Sequence, residues 1–189
     1  MEIESLMGGF KKFSKAGDFG YTSLLKGQRV PKYDPRVDAY GVLDEAVSIL
    51  GLARALSKNR KIKKTILNLQ KKLYGLCSEL ATPPENYEEA PFKTSKTHTK
   101  EVEKLIDEYL KEKSLPNRFI IPGKTPASAT LDIARTVVRR AERKVHKLIH
   151  EGTIKNVEIG CYLNRVADLL FTLARVEEGL NGGLKKRKK

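Results

Sequence analysis

The most chemically informative stretch of the sequence places arginines beside the apolar seam of a helix. Between residues 130 and 148 apolar side chains recur every three or four positions, which is typical of a helix with one face in a core. At 100° per residue, a second line borders this seam. It consists of Arg135, Arg139, Glu142 and His146. Arginines so close to a core are costly unless they meet carboxylates or phosphates, so the line indicates either interhelical salt bridges or an anion site.

A second candidate for anion binding lies near the N-terminus, in residues 14–22, which read Ser-Lys-Ala-Gly-Asp-Phe-Gly-Tyr-Thr. Two glycines and small residues surround Lys15 without helical periodicity, so we predict a loop. Glycines let backbone N–H groups converge on an anion, and Lys15 adds a positive charge. Arg29, Lys32 and Arg36 follow and strengthen the positive local field. A phosphate cradle and an ordinary surface turn both fit these residue types.

Asp44 is the carboxylate that most needs a partner. It shares a helical face with Tyr40 and Val47, beside the predicted core, where an unpaired carboxylate is strongly disfavoured. The arginines of residues 135–143 are candidate partners, either in a structural pair or in a site.

Other site patterns are weaker. His146 and His150 lie four residues apart, but the HExxH arrangement is missing, and we interpret them as surface or interface histidines. Residues 123–125, Gly-Lys-Thr, resemble the end of a Walker A loop, yet the glycine that this motif needs five positions earlier is Arg118.

Length and charge limit the class of protein. The 189 residues predict one domain over residues 1–189, with a flexible tail at 1–13 and a basic tail at 182–189. Five of the cations behind the net charge of +14 form a terminal run, Lys185 to Lys189. Because the chain has no Trp and no nucleic-acid-binding motif, we interpret this tail as solvated and expect no nucleic-acid partner.

The compartment is predicted from the same composition. No apolar run is long enough to cross a bilayer, and the start lacks the basic and apolar segments of a secretory signal. We therefore expect no membrane association and a cytoplasmic location. Cys77 and Cys161 lie in apolar helical contexts without CxxC spacing and are predicted to be buried, reduced thiols.

Hydrophobic periodicity and capping residues predict an all-α fold. It is an antiparallel up-and-down bundle of about five helices, preceded by an extended, glycine-containing N-terminal loop. Asp34-Pro35 and Thr125-Pro126 each open a helix with a cap and a proline. The predicted helices span about 35–56, 62–80, 102–109, 126–151 and 159–175, and residues 85–98 form a polar connector that is mobile or draped over the surface.

Four blocks of the sequence, in order, resemble the signature of the PduO-type ATP:cob(I)alamin adenosyltransferases. The first combines SKAGDFGYT at 14–22, RVPK at 29–32 and RVDAYGVLDE at 36–45. The others are FIIPG at 119–123, ARTVVRRAER at 134–143 and YLNRVADLLF at 162–171. The sequence departs from the family at Ser14, where threonine is usual, and at Lys124, where a second glycine is usual.

The resemblance implies a ferritin-like helical bundle that forms a homotrimer with active sites between neighbouring subunits. It implies catalytic roles for Arg139, Arg143 and Phe119, with Phe119 also blocking the lower face of the corrin ring. Asp44 and Arg135 match a salt bridge across the subunit boundary. The residues that match ATP contacts are Ser14, Lys15, Ala16, Gly17, Tyr21, Thr22, Lys32, Arg139, Arg140, Glu142, Arg143 and Asn164.

The activity that the resemblance implies is transfer of the 5′-deoxyadenosyl group of ATP to the cobalt of cob(I)alamin, which releases triphosphate and forms adenosylcobalamin. Mg²⁺ is expected to bind through the ATP phosphates. The expected partners are an electron donor that reduces Co(II) and a downstream cobalamin-dependent enzyme. One alternative is a module that binds ATP and corrinoid and stores or delivers adenosylcobalamin without catalysis. Another is a basic bundle that binds nucleic acid through its tail.

Overall fold

The helices of the chain follow a short N-terminal hairpin. The computed structural model describes residues 15–112, 115 and 119–180. Within them, no helix is both long enough and apolar enough to span a lipid bilayer. The main elements are strands β1 (Tyr21–Ser23) and β2 (Arg29–Pro31) and helices α1 (Pro35–Leu56), α2 (Arg60–Leu80), α3 (Lys96–Glu112), α4 (Pro126–His150) and α5 (Glu158–Leu180).

Helix starts are set by capping side chains, as the sequence predicts. The Asp34 carboxylate accepts a hydrogen bond from the Arg36 backbone N–H at 2.8 Å, with Pro35 in the first helical position. Thr125 and Ser128 form a capping box at the start of α4, in which each side chain accepts from the other residue's backbone N–H. These caps satisfy backbone donors that the first helical turn leaves unpaired.

The five helices pack as an all-α bundle in which α4 is central, and the predicted fold class is confirmed. Helix α4 packs against α1 on one side and α5 on the other; α1 also packs against α2, and α5 against α3. Its apolar seam is fully buried, including Leu131, Val138 and Val145. Burial of such a seam is the main favourable term in folding. Helix α3 begins earlier than predicted. Its first two turns are polar, so the apolar periodicity used for the prediction does not mark them as helical.

The N-terminal loop is more ordered than an irregular loop. Strands β1 and β2 pair antiparallel, with Thr22 opposite Val30. Leu24 is buried, and the backbone N–H of Leu25 donates to the Ala81 carbonyl at the end of α2 at 2.9 Å. Gly20 has a φ of +79°, a conformation that glycine adopts without steric cost. The hairpin is therefore fixed to the end of the bundle.

The connector after α2 lies over the surface, which is one of the two predicted alternatives, and is held there by one buried carboxylate, that of Glu79. Glu79 accepts hydrogen bonds from the Tyr87 hydroxyl at 2.5 Å and from both the backbone N–H and the hydroxyl of Thr94, at 2.7 and 2.6 Å. Asn156, between α4 and α5, donates to the same carboxylate at 2.8 Å. Four donors satisfy a charge that is otherwise costly to bury.

Two predictions need correction. Cys161 is exposed, because it faces outward in the first turn of α5, whereas Cys77 is largely covered. Both thiols are free. Burial and the nearby charge of Asp44 raise the pKa of the Cys77 thiol to about 12. Asp44 itself is exposed on α1, because the inner seam of this helix runs through Leu43 and Val47.

Replacing Glu79 tests whether this carboxylate holds the connector. Glu79→Ala leaves the Tyr87, Thr94 and Asn156 donors without their acceptor, so we expect a loss of about 3 kcal/mol in the free energy of unfolding, measured by urea denaturation. The matched control is Glu85→Ala, which removes an exposed carboxylate of the connector and is expected to change stability by less than about 0.5 kcal/mol. Equal effects of the two changes would contradict the role of Glu79.

Candidate functional site

The N-terminal hairpin brings cationic side chains to a glycine. Lys32 directly follows β2, and its ammonium nitrogen lies 3.4 Å from the point where a side chain at Gly17 would place its Cβ. Arg29 donates to the Ala16 carbonyl at 2.7 Å and to the Ser23 hydroxyl at 3.3 Å. The segment from Lys15 to Gly17 forms one turn of 3-10 helix.

The other predicted residues of this loop are placed as follows. Lys15, Ala16 and Tyr21 are exposed, whereas Thr22 is half-buried in β1. Ser14 lies outside the described residues. The structure therefore brings Gly17 and Lys32 together, as a phosphate cradle requires, although fifteen positions separate them in the sequence.

The charged residues of α4 divide between its two neighbouring helices. On the α1 side, Arg140 pairs with Glu45 and Lys144 pairs with Asp38. On the α5 side lie Arg135, Arg139 and Glu142. The guanidinium of Arg139 is 3.9 Å from the Glu142 carboxylate. The last member of the predicted set, Arg143, is exposed.

The α5 side of α4 forms one wall of a cleft of about 370 Å³, which we call the arginine cleft. Arg165 closes part of the opposite wall, because it pairs with Asp168 at 2.5 Å and with Glu103 of α3 at 3.5 Å. The lining residues are Ile106, Leu115, Arg135, Arg139, Arg165, Ala167, Asp168, Phe171 and Thr172. The cleft thus combines three guanidinium groups with an aromatic ring, which suits a large ligand that carries negative charge.

A buried ion pair lies behind the arginine cleft. Arg175 on α5 is 2% exposed and Asp132 on α4 is 3% exposed, and their side chains pair with each other. Arg175 also contacts Glu178 at 3.0 Å. The second oxygen of Asp132 accepts a hydrogen bond from Arg135 Nε at 3.2 Å.

Sequence reasoning missed Asp132 and Glu79. A signal for Asp132 is present, because Arg175 lies on a polar line of α5 beside the core and requires an acidic partner on a facing helix. Periodicity alone does not identify which helix supplies it.

Three predicted residues lie at surfaces of the chain or near them. Phe119 is fully exposed, as is Ile121 two residues later, and Gly123 ends this extended segment with a φ of +117°. Asn164 is half-buried on α5. Asp44 is exposed, and burial together with the negative charge of Asp44 raises the pKa of the neighbouring Tyr74.

The structure therefore assembles the predicted site in two separate parts, one on the hairpin and one on α4. The hairpin forms hydrogen bonds with its own strands and with the end of α2, while the α4 arginines contact α1 and α5. Within the chain, Arg135 pairs with Asp132. Over residues 15–112, 115 and 119–180, no three His, Cys, Asp or Glu side chains are grouped so that they could hold a metal ion.

The Arg140–Glu45 ion pair is expected to contribute little to stability in the chain by itself. Both side chains are nearly half exposed, so water screens their attraction. In a double-mutant cycle of Arg140→Ala and Glu45→Ala, followed by urea unfolding, we expect a coupling energy of about 1 kcal/mol or less. A coupling of several kcal/mol would instead mean that another chain covers the pair.

Comparison with known proteins gives consistent matches. The family model for cobalamin adenosyltransferase matches residues 12–177. A corrinoid adenosyltransferase from Citrobacter freundii is 35% identical over 169 residues, which cover 89% of this chain and 96% of that protein. Corrinoid adenosyltransferase PduO from Salmonella typhimurium is 35% identical over 166 residues, covering 88% of this chain. The chain spans 49% of the length of that relative.

Solved structures show the same likeness. A variant of the PduO-type ATP:corrinoid adenosyltransferase from Lactobacillus reuteri, complexed with cobalamin and ATP, has a TM-score of 0.82 at 32% identity, and the match covers 90% of this chain and 94% of that one. A second variant from the same organism, complexed with ATP, also gives a TM-score of 0.82 at 32% identity, over 90% and 96% of the two chains.

Proposed function

The chain belongs to the cobalamin adenosyltransferase family, and from this premise we propose how its residues carry out the reaction. It is an ATP:corrinoid adenosyltransferase, which transfers the 5′-deoxyadenosyl group of ATP to the cobalt of cob(I)alamin. The cobalt attacks the 5′ carbon, a cobalt–carbon bond forms, and the carbon–oxygen bond breaks. The bonding electrons leave with the triphosphate, and cobalt is formally oxidised by two electrons.

The observation that carries this proposal is the composition of the arginine cleft. Its polar groups are three arginines, Thr172 and an aspartate that is already paired with Arg165. Cob(I)alamin is itself a strong nucleophile, so the protein needs to supply alignment and positive charge rather than a base. We propose that the cleft faces the corrinoid and that Arg139 and Arg143 stabilise the charge that develops on the leaving triphosphate.

For ATP we propose binding between the hairpin and α4. Ser14, Lys15, Ala16, Gly17 and Lys32 would hold ATP from one side, with Tyr21 and Thr22 as further contacts. The position of Lys32 over Gly17 supports this proposal, since it places an ammonium beside a stretch of backbone that no side chain covers at Gly17. The α4 residues and Asn164 would complete the site from a neighbouring subunit. They are Arg139, Arg140, Glu142 and Arg143.

We also propose a homotrimer with sites between subunits, and exposed apolar and charged groups support this proposal. Leu52 of α1 and Ile133 of α4 are each more than half exposed, and exposed apolar patches of this kind mark interaction surfaces. We propose that Arg135 pairs with the partner subunit's Asp44. Phe119, which is fully exposed in the chain, would then lie against the corrin ring and exclude its lower axial ligand.

Mg²⁺ is proposed to enter the site bound to ATP. The phosphate oxygens supply the hard ligands that Mg²⁺ prefers, so few protein ligands are needed. Lys15 and Lys32 would neutralise the remaining charge of the triphosphate.

The reaction also implies partners. Cob(I)alamin is formed by reduction of Co(II), so we propose an electron donor that acts before transfer and a cobalamin-dependent enzyme that uses the product. The two free cysteines suit the reducing cytoplasm, which we propose as the location of the enzyme.

Removing either catalytic arginine is expected to abolish turnover while the bundle stays folded. In Arg139→Ala and Arg143→Ala we expect kcat/KM to fall at least about 100-fold, because each change removes a positive group from the developing charge. Cobalt–carbon bond formation from ATP and chemically reduced cobalamin is followed by absorbance, with ATP omitted as a blank. Circular dichroism checks that helix content is unchanged.

A matched control for these arginines is Lys147→Ala, which removes a cation from the same helix. Its side chain is 70% exposed and pairs only loosely with Glu151, at 3.8 Å. It should retain wild-type kcat/KM. Full activity in Arg139→Ala or Arg143→Ala would overturn the role assigned to that residue.

Removal of magnesium gives an independent prediction. With excess EDTA we expect adenosylation to stop and to return when Mg²⁺ exceeds the chelator, because the metal neutralises the triphosphate. Urea unfolding without ATP should give the same midpoint with and without EDTA, since the metal is proposed to bind through ATP. A lower midpoint in EDTA would mean that the protein holds a metal ion of its own.

A further inference from the structure

We infer that Arg175 and Asp132 are positioning residues that set two walls of the arginine cleft, its cation Arg135 and its aromatic ring Phe171. The inference rests on the proposed function, because it concerns the same site. Neither residue lines the site as a ligand contact, since Arg175 is 2% exposed and Asp132 is 3% exposed. Their effect has to pass through the side chains that they hold.

Arg175 orients the aromatic wall. Its guanidinium carbon lies 5.0 Å from the centroid of the Phe171 ring, one helical turn earlier on α5. This distance is within the range of cation–π attraction, which is stronger at a desolvated site. The guanidinium is in turn fixed by Asp132 from α4 and by Glu178, at 3.0 Å, from its own helix. The Phe171 ring therefore rests on a group with little freedom to move.

Asp132 orients the cationic wall. One carboxylate oxygen pairs with Arg175, and the other accepts from Arg135 Nε at 3.2 Å. Because this bond uses Nε, the N–H groups of the two terminal nitrogens of Arg135 are left for other acceptors. Arg135 lines the cleft, and these groups serve the proposed contact with the partner subunit's Asp44. A single carboxylate thus links the guanidinium behind the cleft to the one at its surface.

Stability alone does not account for this pair. Replacing a buried ion pair with apolar residues of similar size is often neutral or stabilising, because burial of both charges is costly. The core of the bundle consists mostly of Leu, Val, Ile and Ala, and apolar residues at both positions would extend it. What apolar residues cannot supply is an acceptor for Arg135 or a cation under Phe171.

The experiment separates positioning from stability by changing both charges at once. Asp132→Leu together with Arg175→Met removes both charges of the pair. This double variant is made in a Glu178→Gln background, so that the Glu178 carboxylate is not left buried without its cation. Asp132→Asn, a nearly isosteric single change, is the second variant. The matched control is Glu177→Gln, which alters another buried carboxylate of α5, bonded to Ser57 at 2.9 Å.

We expect the double variant to unfold at a urea concentration no lower than that of Glu178→Gln alone. Its kcat for adenosylation should fall about 100-fold, in line with a misplacement of about 1 Å, and its KM for the corrinoid should rise. Its KM for ATP should change less than about twofold, because Arg135 and Phe171 are not among the proposed ATP contacts. Glu177→Gln should retain all three kinetic values of the wild type.

A direct readout of orientation does not depend on activity. The Nε–H signal of Arg135, assigned in ¹⁵N spectra from its loss in Arg135→Lys, should exchange slowly with solvent in the wild type. It should shift and exchange faster in Asp132→Asn and in the double variant, but not in Glu177→Gln. Wild-type kinetics in a folded double variant, or an unchanged Arg135 signal in Asp132→Asn, would overturn the inference.

These readouts also separate failure of the inference from failure of the proposed function. If the wild type forms no cobalt–carbon bond, the proposed function is wrong, whereas the Arg135 signal still tests the positioning. If the wild type is active and the Arg135 signal responds as expected while kcat and KM do not, the pair orders the side chain without serving the reaction, and the inference fails.

Discussion

The structure depends on the packing of α4 between α1 and α5. Because both sides of its seam are covered, charged residues on the two borders of that seam meet one neighbouring helix or the other. On the α1 border they form half-exposed ion pairs with Glu45 and Asp38, which contribute little energy in water. On the α5 border they surround a cleft and reach a buried carboxylate. One packing constraint therefore gives the charged residues on the two borders different surroundings.

The residue types at the α5 border fit the chemistry of the family. In adenosyl transfer to cob(I)alamin the substrate provides the nucleophile, and the leaving triphosphate carries the developing negative charge. Guanidinium groups stay protonated at all physiological pH values and can contact phosphate oxygens with two N–H groups at once. A histidine or carboxylate would add a proton equilibrium that the reaction does not use. Electrostatic stabilisation is also stronger in a site from which water is excluded.

Much of the fold could be predicted from the sequence, because helix periodicity and capping are local. Asp34 and Thr125 identify helix starts by the groups that they offer to the next few backbone N–H donors. The Glu79 network could not be predicted in this way, since its donors come from positions 87, 94 and 156. The same limit applies to Cys161: an apolar context fixes the type of element, but not which turn of it a neighbouring helix covers.

The site was predictable in its residue types and only partly in its geometry. The helical wheel placed Arg135 and Arg139 on one line, and both do line the arginine cleft. It placed Arg175 on a polar line of α5 but did not identify Asp132 as its partner, because whether two charges on different helices meet depends on how those helices cross. The hydrogen bond from Arg135 Nε to Asp132 restrains this side chain before any partner arrives. An arginine held in this way loses less rotamer freedom on binding than a free side chain, so more of the interaction energy is available for closing the site.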